Sequence, residues 1–85
     1  MYSIEIKQSA AREIEALPLS DRRKIMERIG RLAEEPRPRG CEKLAGGERY
    51  RVRQGDYRIV YSVEDALLVV WIVNIGHRRD VCRGM

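Results

Sequence analysis

Residues 49–61 read Arg49-Tyr50-Arg51-Val52-Arg53-Gln54-Gly55-Asp56-Tyr57-Arg58-Ile59-Val60-Tyr61. Tyr50, Val52, Tyr57, Ile59, Tyr61 and Val63 alternate with Arg49, Arg51, Arg53, Arg58 and Ser62. Period-two alternation rich in β-branched and aromatic residues predicts two strands. Gly55-Asp56 between them predicts a hairpin, because glycine takes the positive φ of a type II′ turn at no steric cost. A two-residue loop fixes the register. Gln54 then faces Tyr57, Arg53 faces Arg58, Val52 faces Ile59 and Tyr50 faces Tyr61. The apolar set falls on one face and the arginines on the other. A longer, bulged loop would shift the pairing by one residue and break up the arginine patch. Two arginines directly opposite each other are mildly destabilising. The pattern leaves two readings open for that face: an anion-binding surface, or a solvated outer face.

Working outward, Tyr2, Ile4 and Ile6 alternate with Ser3, Glu5 and Lys7, which predicts a half-buried strand. Ser9 is placed to cap a helix over 10–17 with the stripe Ala10, Ile14 and Leu17. Leu17-Pro18-Leu19 breaks it, because proline disfavours helix for the residue before it. Ser20 is expected to cap a second helix, with Asp21 favourable in its first turn. Ile25, Met26, Ile29, Leu32 and Ala33 give that helix an apolar stripe, with the Met and Ile positions expected in the core. Pro36 and Pro38 end it. Residues 36–47 read as a loop anchored by Leu44. Glu64-Asp65 marks a turn. The apolar run 67–75 predicts a central strand buried on both faces, followed by a short basic tail. Two helices joined by a few residues pack as an antiparallel hairpin. The expected fold is α+β with the order βααβββ: a mainly antiparallel sheet with the N-terminal helical hairpin packed on one face.

Eighty-five residues make one domain, 1–85. Such a chain buries only about 60–65% of its unfolded surface, so a partner covering apolar surface is expected. The net charge of +4 is unevenly placed. Residues 1–36 carry seven basic and seven acidic side chains, whereas residues 37–85 carry ten and six, so the whole excess travels with the strands. Fourteen of the seventeen basic residues are arginine, which grips phosphate bidentately and stacks on bases. A polyanion, nucleic acid foremost, is the expected partner. Cys41, Cys82 and the single His77 form no metal-ligand spacing, so no metal and no cofactor are expected. Residues 1–8 lack a signal-peptide layout and no apolar run approaches the ~20 residues of a spanning helix. A reduced, cytoplasmic protein without a membrane is the expectation.

No Ser/His/Asp set, phosphate loop or paired carboxylate is visible. The remaining tools suit metal-free RNA cleavage. The 2′-OH is an internal nucleophile that need only be held in line with the scissile phosphate. Preorganised arginines stabilise charge developing on the phosphate oxygens. A proton acceptor and a donor are still required. His77 is of the side-chain type suited to either role near neutrality; a structural or surface role for a strand-end histidine stays open. A guanidinium, with pKa above about 12, is a poor base.

The blocks Leu44-Ala45-Gly46-Gly47, the arginine hairpin, and Asn74-Ile75-Gly76-His77-Arg78-Arg79-Asp80-Val81 resemble the RelE/ParE toxin superfamily of bacterial and archaeal toxin–antitoxin modules. The resemblance covers nearly the whole chain and favours the RelE-like branch. It implies a toxin that cuts mRNA in the ribosomal A site and is neutralised by an acidic, RelB-like antitoxin that folds on binding. It also implies the active residues. Arg51 and Arg53 match two basic positions before the hairpin, with phosphate binding and proton handling as their roles. Arg58 and Arg78 match the arginines that stabilise transition-state charge. His77 joins this set, and Arg49, Lys43, Arg79 and Arg83 are expected to bind RNA. The chain departs from the RelE pattern twice. Arg51 and Arg53 stand where lysines are common, and Cys82 stands where a tyrosine stacks on or orients the mRNA base. A C-terminal helix that some members carry is not expected. Two other functions share these residues: a ParE-like toxin that binds gyrase without nuclease activity, and a basic nucleic-acid-binding module without catalysis.

Overall fold

The computed structural model describes residues 1–45 and 47–77. The elements run β1 (Ser3–Ile6), α1 (Gln8–Glu15), α2 (Leu19–Glu34), β2 (Glu42–Lys43), β3 (Arg49–Gln54), β4 (Tyr57–Glu64) and β5 (Val69–His77). They form one five-stranded sheet in the order β1-β5-β4-β3-β2. All neighbours are antiparallel except β1 and β5, which are parallel. The expected α+β layout stands, with one more strand than the sequence suggested. β2 lies inside the stretch read as loop, where Glu42 pairs with Arg51 and Lys43 with Tyr50. Two residues give no periodicity to detect.

The helices pack on one face of the sheet. Ala10 and Ile14 of α1 and Ile25, Ile29 and Leu32 of α2 meet Tyr50, Val52, Ile59, Tyr61, Val63, Val70, Ile72 and Ile75 in a single buried cluster. Burial of this apolar surface is the main favourable term in a chain this short. The hairpin has the register expected from the turn: Gln54↔Tyr57, Arg53↔Arg58, Val52↔Ile59 and Tyr50↔Tyr61. Gly55 supplies the positive φ, +61°.

Several local expectations need correction. α1 starts at Gln8 and α2 at Leu19, with Lys7 and Pro18 at the cap positions and no side-chain cap on either. Ser9 and Ser20 therefore sit inside their helices. The strand β1 runs into α1 without a turn, because the Lys7 N–H is still held by the Ile72 carbonyl at 2.9 Å. Arg22 bridges the helices instead, its guanidinium donating to the carbonyls of Glu15 and Leu17 at 3.1 and 3.3 Å. The Glu15 carbonyl is an orphan of the α1 C-terminus, where a cation is favoured, and Leu17 lies in the link just beyond it. Met26 is 43% exposed and not core; it stands at the edge of the stripe that Ile25 and Ile29 bury.

The last strand is also corrected. Leu67 and Leu68 lie in the turn before it and are exposed, Leu68 at φ +55°. Along β5 only Val70, Ile72 and Ile75 are buried; Val69, Trp71 and Val73 are half-buried and Asn74 is exposed. The strand has one buried face because no layer covers the other. Its register also steps. Tyr61 pairs with Ile72 but Val60 with Asn74, so Val73 is an extra, bulged residue. Beyond Ile6, β1 no longer covers the β5 edge. Glu13 of α1 does so, accepting from the Ile75 N–H at 2.8 Å and from the Asn74 amide at 3.2 and 3.0 Å.

Candidate functional site

The uncovered face of the sheet carries Arg49, Arg51 and Arg53 on β3 and Arg58 on β4, because partners across an antiparallel pair share a face. Arg51, Arg53 and Arg58 line a shallow cleft of about 280 Å³ together with Gly40 and Glu42. Arg49 lies further along β3, away from it. Arg53 and Arg58 are direct cross-strand partners. Among the described residues neither has a carboxylate within salt-bridge distance. Arg51 is different: its Nη2 donates to Glu42 Oε1 at 2.9 Å.

Glu42 is the site residue that sequence reasoning missed. It lay in a segment read as loop, and only its place one residue before a paired lysine on β2 turns it toward Arg51. A set of contacts places β2. Tyr61 donates to the Pro36 carbonyl at 2.7 Å. The Arg37 Nε donates to the Tyr50 hydroxyl at 3.0 Å, and its terminal nitrogens donate to both oxygens of Asp65 at 3.2 and 2.8 Å. Tyr2 donates to the same carboxylate at 2.7 Å. Arg37 also lies over the Tyr50 ring, 5.2 Å from its centroid, and Tyr50 stacks on Tyr61. Gly40, at φ +92°, then turns the chain into β2, and Leu44 N–H closes the pairing on the Arg49 carbonyl at 2.8 Å.

The electrostatics of this clamp are mutual. Hydrogen bonds from Arg37, then from Tyr2, hold the Asp65 carboxyl below its usual range. The Arg37 guanidinium is pushed up, first by Asp65 and then by Tyr50. Burial, more than any neighbour, pushes the Tyr61 hydroxyl up.

The predicted site residues divide. Arg51, Arg53 and Arg58 come together as expected. Lys43 does not join them. It pairs with Tyr50, whose side chain faces the helices, so it falls on the other side of the edge strand. His77 is likewise turned away from the arginines. It pairs with Tyr57 and packs edge-on against that ring, centroids 5.0 Å apart at 86°. There it lines a second cleft of about 380 Å³ on the helix side with Asp21, Lys24, Gln54 and Asp56. Tyr57 donates to Asp21 at 3.1 Å; burial first, then this carboxylate, raises its hydroxyl pKa. Arg78, Arg79, Cys82 and Arg83 lie outside the described residues. Among the described residues no group of three His, Cys, Asp or Glu side chains could hold a metal ion, and no helix is long and apolar enough to cross a membrane.

A sheet with helices on one face and an arginine cleft on the other defines a class that known proteins share. The family described as "ParE toxin of type II toxin-antitoxin system, parDE" matches residues 4–81. The chain belongs to this toxin family, on its RelE-like side. Toxin RelG of Mycobacterium tuberculosis is 30% identical over 86 residues, covering 96% of this chain and 97% of that one. The archaeal RelE–RelB complex from Pyrococcus horikoshii contains a chain 32% identical, with a TM-score of 0.82 and coverage of 91% and 94%. The RelBE2 toxin–antitoxin complex of M. tuberculosis gives 28% identity at the same TM-score, covering 91% of this chain and 98% of that one.

Proposed function

We propose that this toxin is a ribosome-dependent mRNA endonuclease that works without a metal, and that a RelB-like antitoxin restrains it in the cell. The observation that carries the reading is the cleft itself, where Arg51, Arg53 and Arg58 converge beside the Glu42 carboxylate. Arg53 and Arg58 bind the scissile phosphate and stabilise the charge that builds on its oxygens. The 2′-oxygen attacks phosphorus and the bond from phosphorus to the 5′-oxygen breaks, leaving a 2′,3′-cyclic phosphate and a 5′-hydroxyl. The 2′-OH proton goes to Glu42, and the departing 5′-oxygen takes a proton from water. Glu42 fills a role that guanidinium groups fill poorly, and Arg51, at 2.9 Å, orients it. Solved relatives bound to RelB support the antitoxin as partner. The basic face suits an acidic segment that folds as it binds.

The test is mapping of mRNA 5′ ends in a translating extract, with the purified protein and an Arg58→Ala control. Cuts within A-site codons that require ribosomes and vanish in the control are expected. Intact mRNA together with gyrase-dependent DNA breaks would replace this reading with the ParE-like one.

A further inference from the structure

Trp71, the single tryptophan of the chain, stands on the sheet face that no helix covers. Its position follows from three pairings. Arg49 faces Ser62, Ser62 faces Trp71, and Trp71 faces Glu5, so these four residues form one row across β3, β4, β5 and β1. With strands ~4.8 Å apart, the Trp71 backbone lies about 10 Å from that of Arg49. Along the strands it lies about 13 Å from the Arg53–Arg58 row. The side chain is half-buried. The Lys7 ammonium sits over its ring, 5.4 Å from the centroid.

A large apolar ring on an uncovered face, continuous with a row of arginines and topped by a cation, has the composition of a single-stranded nucleic acid track. Such tracks combine basic groups for the backbone with aromatic faces for the bases. We propose that Trp71 and Lys7 form a stacking site for a nucleobase of the same RNA strand whose phosphate lies among Arg51, Arg53 and Arg58. On binding, the Lys7 ammonium leaves the ring it covers to meet an adjoining phosphate, and the base takes its place on Trp71. Glu5, next to Trp71 on the outer strand, repels phosphate, so the strand arrives from the Arg49 side. This inference rests on the RNA reading of the arginine cleft. It names a second contact that the strand makes outside the cleft.

The sole tryptophan makes the test direct. The full chain is titrated with a short 2′-O-methyl RNA, which lacks the attacking hydroxyl and is not cut. Trp71 fluorescence and the anisotropy of labelled RNA are read together. Binding with quenching is expected. An oligomer of equal charge with abasic positions should bind about tenfold or more weakly and quench little, the loss of one stacked base. Trp71→Leu should lose a similar factor and become indifferent to abasic positions, while Trp71→Phe keeps most of the affinity. Equal affinity and equal quenching by intact and abasic oligomers would overturn the stacking site while leaving the cleft reading in place. If Trp71→Leu does not fold, the abasic comparison on the unaltered chain and the Trp71→Phe variant decide. Absence of any salt-sensitive RNA binding by the free chain would overturn the stacking site, while the cleft reading is decided by the ribosome-dependent cuts.

Discussion

Arg53 sits directly opposite Arg58 across the β3–β4 pair. Like charges facing each other destabilise a sheet, so the pair is held at a cost to folding. Arg53→Thr should therefore raise stability by about 0.2–1 kcal/mol and at the same time weaken RNA binding and cleavage. Urea unfolding beside a binding isotherm checks both signs. The slope of log affinity against log salt should fall by about one phosphate contact.

Glu42 and the arginines make opposite demands on RNA. The carboxylate repels phosphate and occupies Arg51. Glu42→Gln should tighten RNA binding, yet lower the cleavage rate by about 10²–10⁴-fold through loss of the proton acceptor. Single-turnover cleavage is the measurement; a variant that cuts at the original rate would remove Glu42 from the mechanism.

The Arg37 clamp predicts how stability depends on acid. The Asp65 carboxyl is held below its usual value of 3.8 in the folded chain. A lowered folded pKa means that the unfolded chain takes up the proton first. The stabilisation is thus present above the unfolded value and is lost as pH falls through the folded one. Asp65→Asn should flatten the acid limb of a stability–pH curve below about 4 and leave the neutral core intact. At the other end, burial raises the hydroxyls of Tyr57 and Tyr61. Stability should therefore fall as pH rises above the usual tyrosine value of 10.0, and Tyr61→Phe should blunt that fall.

Gly55 has nothing within 4 Å of where a Cβ would stand, but its φ is +61°. The cost of Gly55→Ala is therefore backbone strain alone, about 1–2 kcal/mol. For a domain of this size that lowers the melting temperature by roughly 4–8 °C per kcal/mol. A larger loss, with a changed circular dichroism spectrum, would mean that the turn sets the register and not only its strain.

The hairpin was legible because glycine chemistry and period-two alternation point to the same register. The position of His77 was not, for a traceable reason. Unbroken alternation from Trp71 would put Val73, Ile75 and His77 on the arginine face. Val73 is an extra residue, so Ile75 and His77 turn to the helices while Asn74 and Gly76 take the other side. Nothing in the run Val69-Val70-Trp71-Ile72-Val73 marks where a bulge falls. Lys43 and Glu42 were unreadable for a related reason. A two-residue strand has a definite face only once its partner is known, and that partner lies seven or more residues downstream. The helix caps failed through context: β1 delivers the chain straight into α1 with no room for Ser9 to precede it.

The step at Val73 also makes β5 two half-strands out of phase. Loss of that one codon would leave the half that begins at Val69 undisturbed. Every side chain after it would keep its face, because the lost residue is the unpaired one and Asn74 would still stand opposite Val60. The bulge is thus a place where the strand can lose one residue without changing which groups line the cleft. In a lineage of such small toxins, a one-residue difference in length at this point need carry no difference in chemistry.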